Sequence, residues 1–397
     1  MVNGSGSSEK RLLRAPRELD PALQTFLAQI VPSLGDSRRN KALHAYLNGT
    51  LTDHPNKNCD TLAQILPDTN EQRLQNLLTK MDWDEQAVNV RRVEVMRALG
   101  SEGDGVLVFD GTDFPKQGTH SVGVNRQYSG SLGKKANCQV TLNCHYTERT
   151  IAWPVNTQLY MPQVWMDNPE RCAKAAVPAD IGFQTKANIA LALLDQANKL
   201  NIKHSAIAAD ADFGDDPGFL DELERQHERY VVDVRKDFTV SLSRNPDDRC
   251  RIEHAVAKLP KRDWRVIRWR QGYDGQWLKG SFIAVRAWRI DGQGKRTIGW
   301  LMGQRKMPNG SGQVKYFWSD FGAHTPLERM VEVAHRRASV ERFHQDSKTL
   351  LGWDQYQGRL WQGFHRNSVL VMLAYSYLIW LERWPSESDP PKVTLRK

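Results

Sequence analysis

The sequence predicts an α/β fold in which a mixed sheet is flanked by helices. Three observations predict it. Two short apolar runs, residues 106–110 and 204–210, each end in an aspartate and read as buried strands. A strong helical pattern over residues 186–200 lies between them, so strand, helix and strand follow one another. Two further helical stretches, residues 327–350 and 364–384, close the chain.

The elements follow in order. Residues 1–15 read as a flexible leader, rich in Gly and Ser at the start. Residues 16–100 read as a helical N-terminal domain. Apolar residues recur at three- and four-residue spacing, with breaks near Gly35, Pro67 and Trp83. This domain suits DNA binding, dimerisation or a packing cap. From residue 101 the character changes to strands, over residues 106–110, 121–128, 138–146 and 151–160, punctuated by Gly118, Gly123, Gly130 and Gly133. Gly111 is expected to open a turn directly after Asp110. A second helix follows the run ending at Asp210, so residues 101–229 form the first part of an α/β core. Residues 230–322 are β-type runs divided by polar loops and read as a β-rich insertion subdomain. Residues 323–384 return to helix, and 385–397 form a tail. The greasy run from Val369 to Leu381 falls short of the roughly 18–20 residues that a membrane span needs and reads as a buried helix.

Bulk composition bounds the function. The chain has 397 residues, 40% hydrophobic and 25% charged, a soluble globular composition. Its net charge of +9 and pI near 9.3 point to a polyanionic partner, nucleic acid first, against a merely basic enzyme. Five cysteines without a CxxC pair indicate neither a zinc ribbon nor a disulfide framework, and free thiols fit a reducing cytosol. Thirteen tryptophans, several beside arginines, suit base stacking and phosphate contact, or equally an aromatic sheet core.

The chemistry rests on three carboxylates. Asp110 and Asp210 each follow an apolar strand, and neighbouring parallel strands bring such residues to one sheet edge. Two adjacent carboxylates repel unless a cation lies between them. Asp113, Asp212, Asp215 and Asp216 are nearby alternatives. Glu341 lies on a helix whose Arg337 and Lys348 are four and seven residues away, on the same face. The plain alternative for that pattern is a solvated Arg–Glu pair. Lys116, Arg126, Lys134 and Lys135 lie near the first aspartate and suit a phosphate backbone. Hard oxygen donors favour Mg²⁺ or Mn²⁺, and no Cys/His cluster suggests zinc.

With these residues in view, the chain resembles the DDE-superfamily transposases of bacterial insertion sequences, whose core is RNase H-like. The resemblance runs over roughly residues 38–381. It matches Asp110, Asp210 and Glu341 to the family's Asp–Asp–Glu set. Arg337, Glu341 and Lys348 stand at the spacing of a Tyr–Arg–Glu–Lys signature, with Ala334 at its tyrosine position, which bears on a phosphate contact and not on the metal site. A β-strand insertion before the last catalytic helix is also familiar from that branch. The resemblance implies that Asp110, Asp210 and Glu341 hold two Mg²⁺ (or Mn²⁺) ions. One ion activates a water or a DNA 3′-hydroxyl, and the other stabilises the leaving oxygen. It implies hydrolysis at transposon ends and strand transfer into target DNA. Arg337 and Lys348 are then phosphate contacts, and Trp288, Trp300 and Trp318 are analogues of a tryptophan that holds a flipped base. Double-stranded DNA is the expected partner, the working form a homodimer or larger synaptic complex, and the place of action the bacterial cytoplasm at the nucleoid. A nuclease that cuts without joining, and a DNA-binding protein derived from a transposase, are the alternatives. An intact carboxylate set argues against the second.

Overall fold

The computed structural model describes residues 21–30, 34–100, 103–272, 275–290, 294–306 and 313–383; the expected leader and tail lie outside them. Among the described residues, five helices come first: α1 (Pro21–Ala28), α2 (Ser37–Thr50), α3 (Cys59–Ile65), α4 (Glu71–Thr79) and α5 (Glu85–Arg97). Asp36, Asn58, Asn70 and Asp84 start α2 to α5 by accepting hydrogen bonds from otherwise unpaired first-turn amides. Next come strands β1 (Val106–Pro115), β2 (Asn125–Ser129), β3 (Lys134–Thr147) and β4 (Ala152–Leu159). Helices α6 (Gln163–Met166), α7 (Pro169–Lys174) and α8 (Lys186–Lys199) lead to β5 (Ala206–Ala209), α9 (Ala211–Gly214), α10 (Pro217–Arg225) and β6 (Tyr230–Val234). The second half holds β7 (Thr239–Ser241), β8 (Arg249–Arg251), α11 (Ile252–Ala257), β9 (Arg265–Gln271), β10 (Trp277–Ile290), β11 (Arg296–Lys306) and β12 (Lys315–Ser319). Helices α12 (Leu327–Arg336), α13 (Ala338–Thr349) and α14 (Trp361–Arg383) follow.

All twelve strands join one mixed sheet in the order β2-β3-β1-β5-β6-β12-β11-β10-β7-β8, with β4 also on β3 and β9 also on β10. Among the described residues, only β1–β5 and β5–β6 pair in parallel. The run expected to open a separate insertion, Tyr230–Val234, is therefore a core strand between β5 and β12. The strands after it extend the same sheet instead of forming a detached layer.

Helix α14 is apolar almost all round because it is buried almost all round. Phe26 packs on its Tyr377 and Trp380 with ring centroids 5.6 and 5.4 Å apart. Its buried Arg366 donates to the carbonyls of Met81 (2.6 Å) and Trp83 (2.5 Å). Arg92 of α5 is also buried and donates to Pro154 O, Val155 O and Ser376 Oγ. Burial of these guanidiniums is tolerable because carbonyl and hydroxyl oxygens replace the lost water. The N-terminal helices, α12 to α14 and one sheet face thus share a core, while α8 and α10 cover the other face. Among the described residues, no helix is long and apolar enough to cross a membrane.

Candidate active site

Parallel pairing sets the site. The β1–β5 register ends at Phe109 opposite Ala209, and the β5–β6 register at Ala209 opposite Val232. The next residue on each strand is an aspartate: Asp110, Asp210 and Asp233. Residues in one cross-strand row project to one face, here the face covered by α12 to α14. Contrary to the turn expected at Gly111, β1 runs on to Pro115. It does so because β3 remains its antiparallel partner after β5 has stopped. Asp210 leaves its strand to cap α9, accepting from Asp212 N at 2.9 Å.

The helix expected over residues 327–350 is two helices meeting at Arg337, which keeps helical angles (φ −56°, ψ −28°). The Arg337 side chain reaches into the aspartate row. Its Nη1 lies 3.1 Å from Asp110 Oδ2, its Nη2 2.6 Å from Glu341 Oε1 and its Nε 3.5 Å from Asp233 Oδ2. Asp233 is also paired with Lys315 Nζ at 2.7 Å. Glu341 remains half exposed.

Charge crowding shows in the carboxyl groups. Burial pushes Asp110 well above the usual carboxylate range; Arg337 opposes this, and the Asp210 and Glu341 charges reinforce it. Burial also raises Asp210, aided by Asp212 and opposed by Arg337. The two side chains share a hydrogen bond that favours the proton on Asp110. Among the described residues no three His, Cys, Asp or Glu side chains stand ready-made around a cation. The reason is visible: Arg337 holds Glu341 and supplies the compensating charge. The donor set still fits a hard divalent cation, since it is oxygen-only and a cation would relieve the charge crowding that raises both aspartates.

Helix α13 is pinned over this row by His344, buried and driven towards the neutral form. Asn143, opposite Asp110 on β3, reaches His344 Nε2 at 3.0 Å and Asp110 O at 3.4 Å. A cleft of about 570 Å³ opens beside Glu341, lined by Arg149, Trp269, Arg270, Arg342 and others. Trp269 stacks on His335 with centroids 3.9 Å apart.

The remaining expected residues divide. Arg126, Lys134 and Lys135 are exposed on the β2–β3 hairpin. Lys348 instead spends its ammonium on Asp113 O at 2.7 Å, and Lys116 on Tyr356 O at 2.6 Å, with burial lowering Lys116 to about 8. Trp318 points to the opposite face and is fully buried, so it is a core residue. Trp300 is on the carboxylate face, but its indole N–H donates to Gly322 O and Arg286 lies over its ring. Trp288 lies near the end of β10 away from the carboxylates, beneath Arg296. Asp212 and Asp215 pair with Arg235, Asp216 caps α10, and Asp113 turns to the other face, where it anchors Ser129 and Ser131.

Asp233 is a site residue that the sequence reading misses. Its signal is present, since Tyr230-Val-Val-Asp233 repeats the apolar-run-then-aspartate pattern of the other two strands. Placing that run in an insertion hides it.

Comparison with known proteins gives the family. The family model described as DDE superfamily endonuclease matches residues 29–276. That range contains Asp110, Asp210 and Asp233 and stops before Glu341. The curated "Probable transposase for insertion sequence element IS701" of Microchaete diplosiphon is 23% identical over 243 residues. The matched stretch is 61% of this chain and 56% of that relative, so it spans about half of the relative's length.

Proposed function

We propose, on the premise that this chain belongs to the DDE superfamily of endonucleases, that it is a DNA transposase. It cuts at transposon ends and joins the freed 3′-hydroxyl to target DNA. The observation that carries the reading is the row of Asp110 and Asp210 on adjacent parallel strands, facing Glu341 across the Arg337 guanidinium. Asp110, Asp210 and Glu341 are the proposed catalytic and metal-binding residues. Two bound Mg²⁺ or Mn²⁺ ions would supply an acidified water or 3′-hydroxyl and charge stabilisation of the leaving oxygen.

The chain's own groups do the positioning. Asn143 and His344 fix α13, and with it Glu341, against β1 and β3. Arg337 keeps the carboxylates together. Its planar fork of donors is of the kind that binds a phosphate, so it is the group to hold the scissile phosphate once its carboxylate partners are otherwise engaged. Arg126, Lys134 and Lys135 on one hairpin, and the exposed Arg268 and Arg270 of β9, are proposed backbone contacts. Double-stranded DNA is the partner, a homodimer or larger synaptic assembly the working form, and the bacterial nucleoid the place of action.

The test is a supercoiled plasmid carrying the DNA that flanks the protein's own element, incubated with Mg²⁺. Cleavage at the ends with strand-transfer products, both lost in Glu341→Gln, is the expected result. Cleavage without joining would reassign the protein as an endonuclease. DNA binding without any cleavage would overturn the enzymatic reading.

A further inference from the structure

We propose that the β2–β3 hairpin is a DNA-docking arm that grips the duplex about eight base pairs from the cleaved phosphate. The inference rests on the carboxylate row being the cleavage site. It starts from register. Asp110 lies opposite Asn143 on β3, Arg126 opposite Asn137, and Tyr128 opposite Lys135. Residues 135, 137 and 143 differ by even steps, so all of them project from the same face. Directly opposite partners share that face. Arg126, Tyr128 and Lys135 therefore stand on the carboxylate side of the sheet.

Distance follows from the same strand. From Asn143 to Lys135 is eight residues of unbroken ladder, about 27 Å at about 3.4 Å per residue. B-DNA rises about 3.4 Å per phosphate along one strand, so that reach is about eight base steps.

Charge and exposure name the partner. Residues 114–147 contain no Asp or Glu, while Lys116, Arg126, Lys134 and Lys135 are basic. Of these Lys116 is tied to backbone carbonyls, and the other three are exposed. Tyr128 is 65% exposed and Leu132 48%, large apolar groups left in water at the tip. An acid-free cationic strand pair with an exposed aromatic suits phosphates and a base face. A protein partner would be expected to meet some acidic counterpart on an arm of this length.

The arm is built to stay put. The buried Asp113 carboxylate takes hydrogen bonds from Ser129 Oγ, from Ser131 Oγ at 2.7 Å and from Ser131 N at 3.1 Å. The Asp113 carbonyl in turn accepts from Lys348 on α13, the helix that carries Glu341. Hairpin tip and catalytic helix are thus clamped to the same residue of β1, which keeps their separation fixed.

The experiment is hydroxyl-radical footprinting on a duplex spanning the end that the wild type cleaves, comparing wild type with Arg126→Ala/Lys135→Ala and with Tyr128→Ala. Expected is loss of protection about eight base pairs from the cleaved bond, with protection at that bond retained. The double variant, which removes both basic groups on the carboxylate face, should also flatten the log–log salt dependence of binding by about 1.8, from about 0.9 per phosphate contact. A footprint and salt slope unchanged in both variants, on DNA that the wild type cuts, would overturn the arm and leave the cleavage reading intact. A wild type that cuts no such DNA would overturn the reading beneath it. Unchanged circular dichroism of these surface variants separates lost contact from lost fold.

Discussion

Arg337 Nε lies 3.5 Å from Asp233 Oδ2, which places a fourth acidic group behind the guanidinium that bridges Asp110 and Glu341. One largely buried guanidinium serves three carboxylates. Removing one partner of such a pair strands the other charges, typically at a cost of about 3–5 kcal/mol. Arg337→Ala is expected to melt at a clearly lower temperature than wild type in EDTA. Mg²⁺ should recover more of the loss than it adds to wild type, because the ions replace the missing charge. Melting curves with and without Mg²⁺ check this. An equal Mg²⁺ increment in both proteins would show that Arg337 does not occupy the cation's electrostatic place.

Burial, as the first cause, raises both the Asp110 and Asp210 carboxyls, Asp110 well above its ordinary value. The sign follows from proton counting. Between the unfolded value near 3.9 and the raised folded one, the native state binds more protons than the unfolded chain, so stability falls as pH rises through that window. In EDTA the wild type should therefore lose stability from about pH 4 upwards relative to Asp110→Asn. The variant should equal or exceed it near neutrality and gain nothing from Mg²⁺. Comparing the two as melting temperature against pH cancels the contributions of other groups. A constant difference across the range would mean the pair shares no proton.

Asp113 behaves in the opposite way. Burial works upward on its carboxyl, but hydrogen bonds from Ser129 and Ser131 outweigh it and hold it below the usual value. Its contribution is present above the unfolded carboxylate range and is lost as pH falls through the folded value. Asp113→Ala leaves two serine hydroxyls and an amide without their acceptor, at about 1–3 kcal/mol. Amide exchange should quicken over residues 126–135 while β5 and β6 stay protected. Uniform protection in the variant would count against the clamp.

How much of this is legible in the sequence varies by element. The aspartates at 110 and 210 are readable because a short apolar run that stops at an acid marks a buried strand reaching the edge of its sheet. Helix α8 is readable because its periodicity is strong, and α14 because its apolar run is too long for a strand. The extension of β1 beyond Asp110 is not. Gly111 signals a turn locally, and only the tertiary ladder to β3 overrides it. Lys348 and Arg337 look alike, as basic residues on one helix face, yet one binds a carbonyl and the other the carboxylates. That difference depends on which residue of β1 lies beneath each end of α13. Trp318 looks like Trp288, and burial alone separates them. The sheet's continuity through residues 230–319 is hidden because strand order is a property of pairing, not of any run of residues.

Gly214 ends α9, the short helix that Asp210 caps, and its backbone lies against β6. A Cβ there would fall inside the Asp233 carbonyl oxygen and press on the Val232 side chain. The carbonyl cannot swing aside, because β6 is hydrogen-bonded between β5 and β12. Gly214→Ala must therefore push α9 away, and Asp210 with it. Overpacking of this kind costs about 1–3 kcal/mol or more. The gain in helix propensity, about 1 kcal/mol for Gly to Ala, does not offset it at a four-residue helix. Expected are a lower melting temperature and a smaller Mg²⁺-induced rise, since the variant moves one carboxylate relative to the other. Gly218→Ala, where the nearest atom is the Asp216 side chain, is the matched control and should leave the Mg²⁺ response as in wild type. If both variants respond to Mg²⁺ as wild type does, the contact between α9 and β6 does not set the spacing of Asp110 and Asp210.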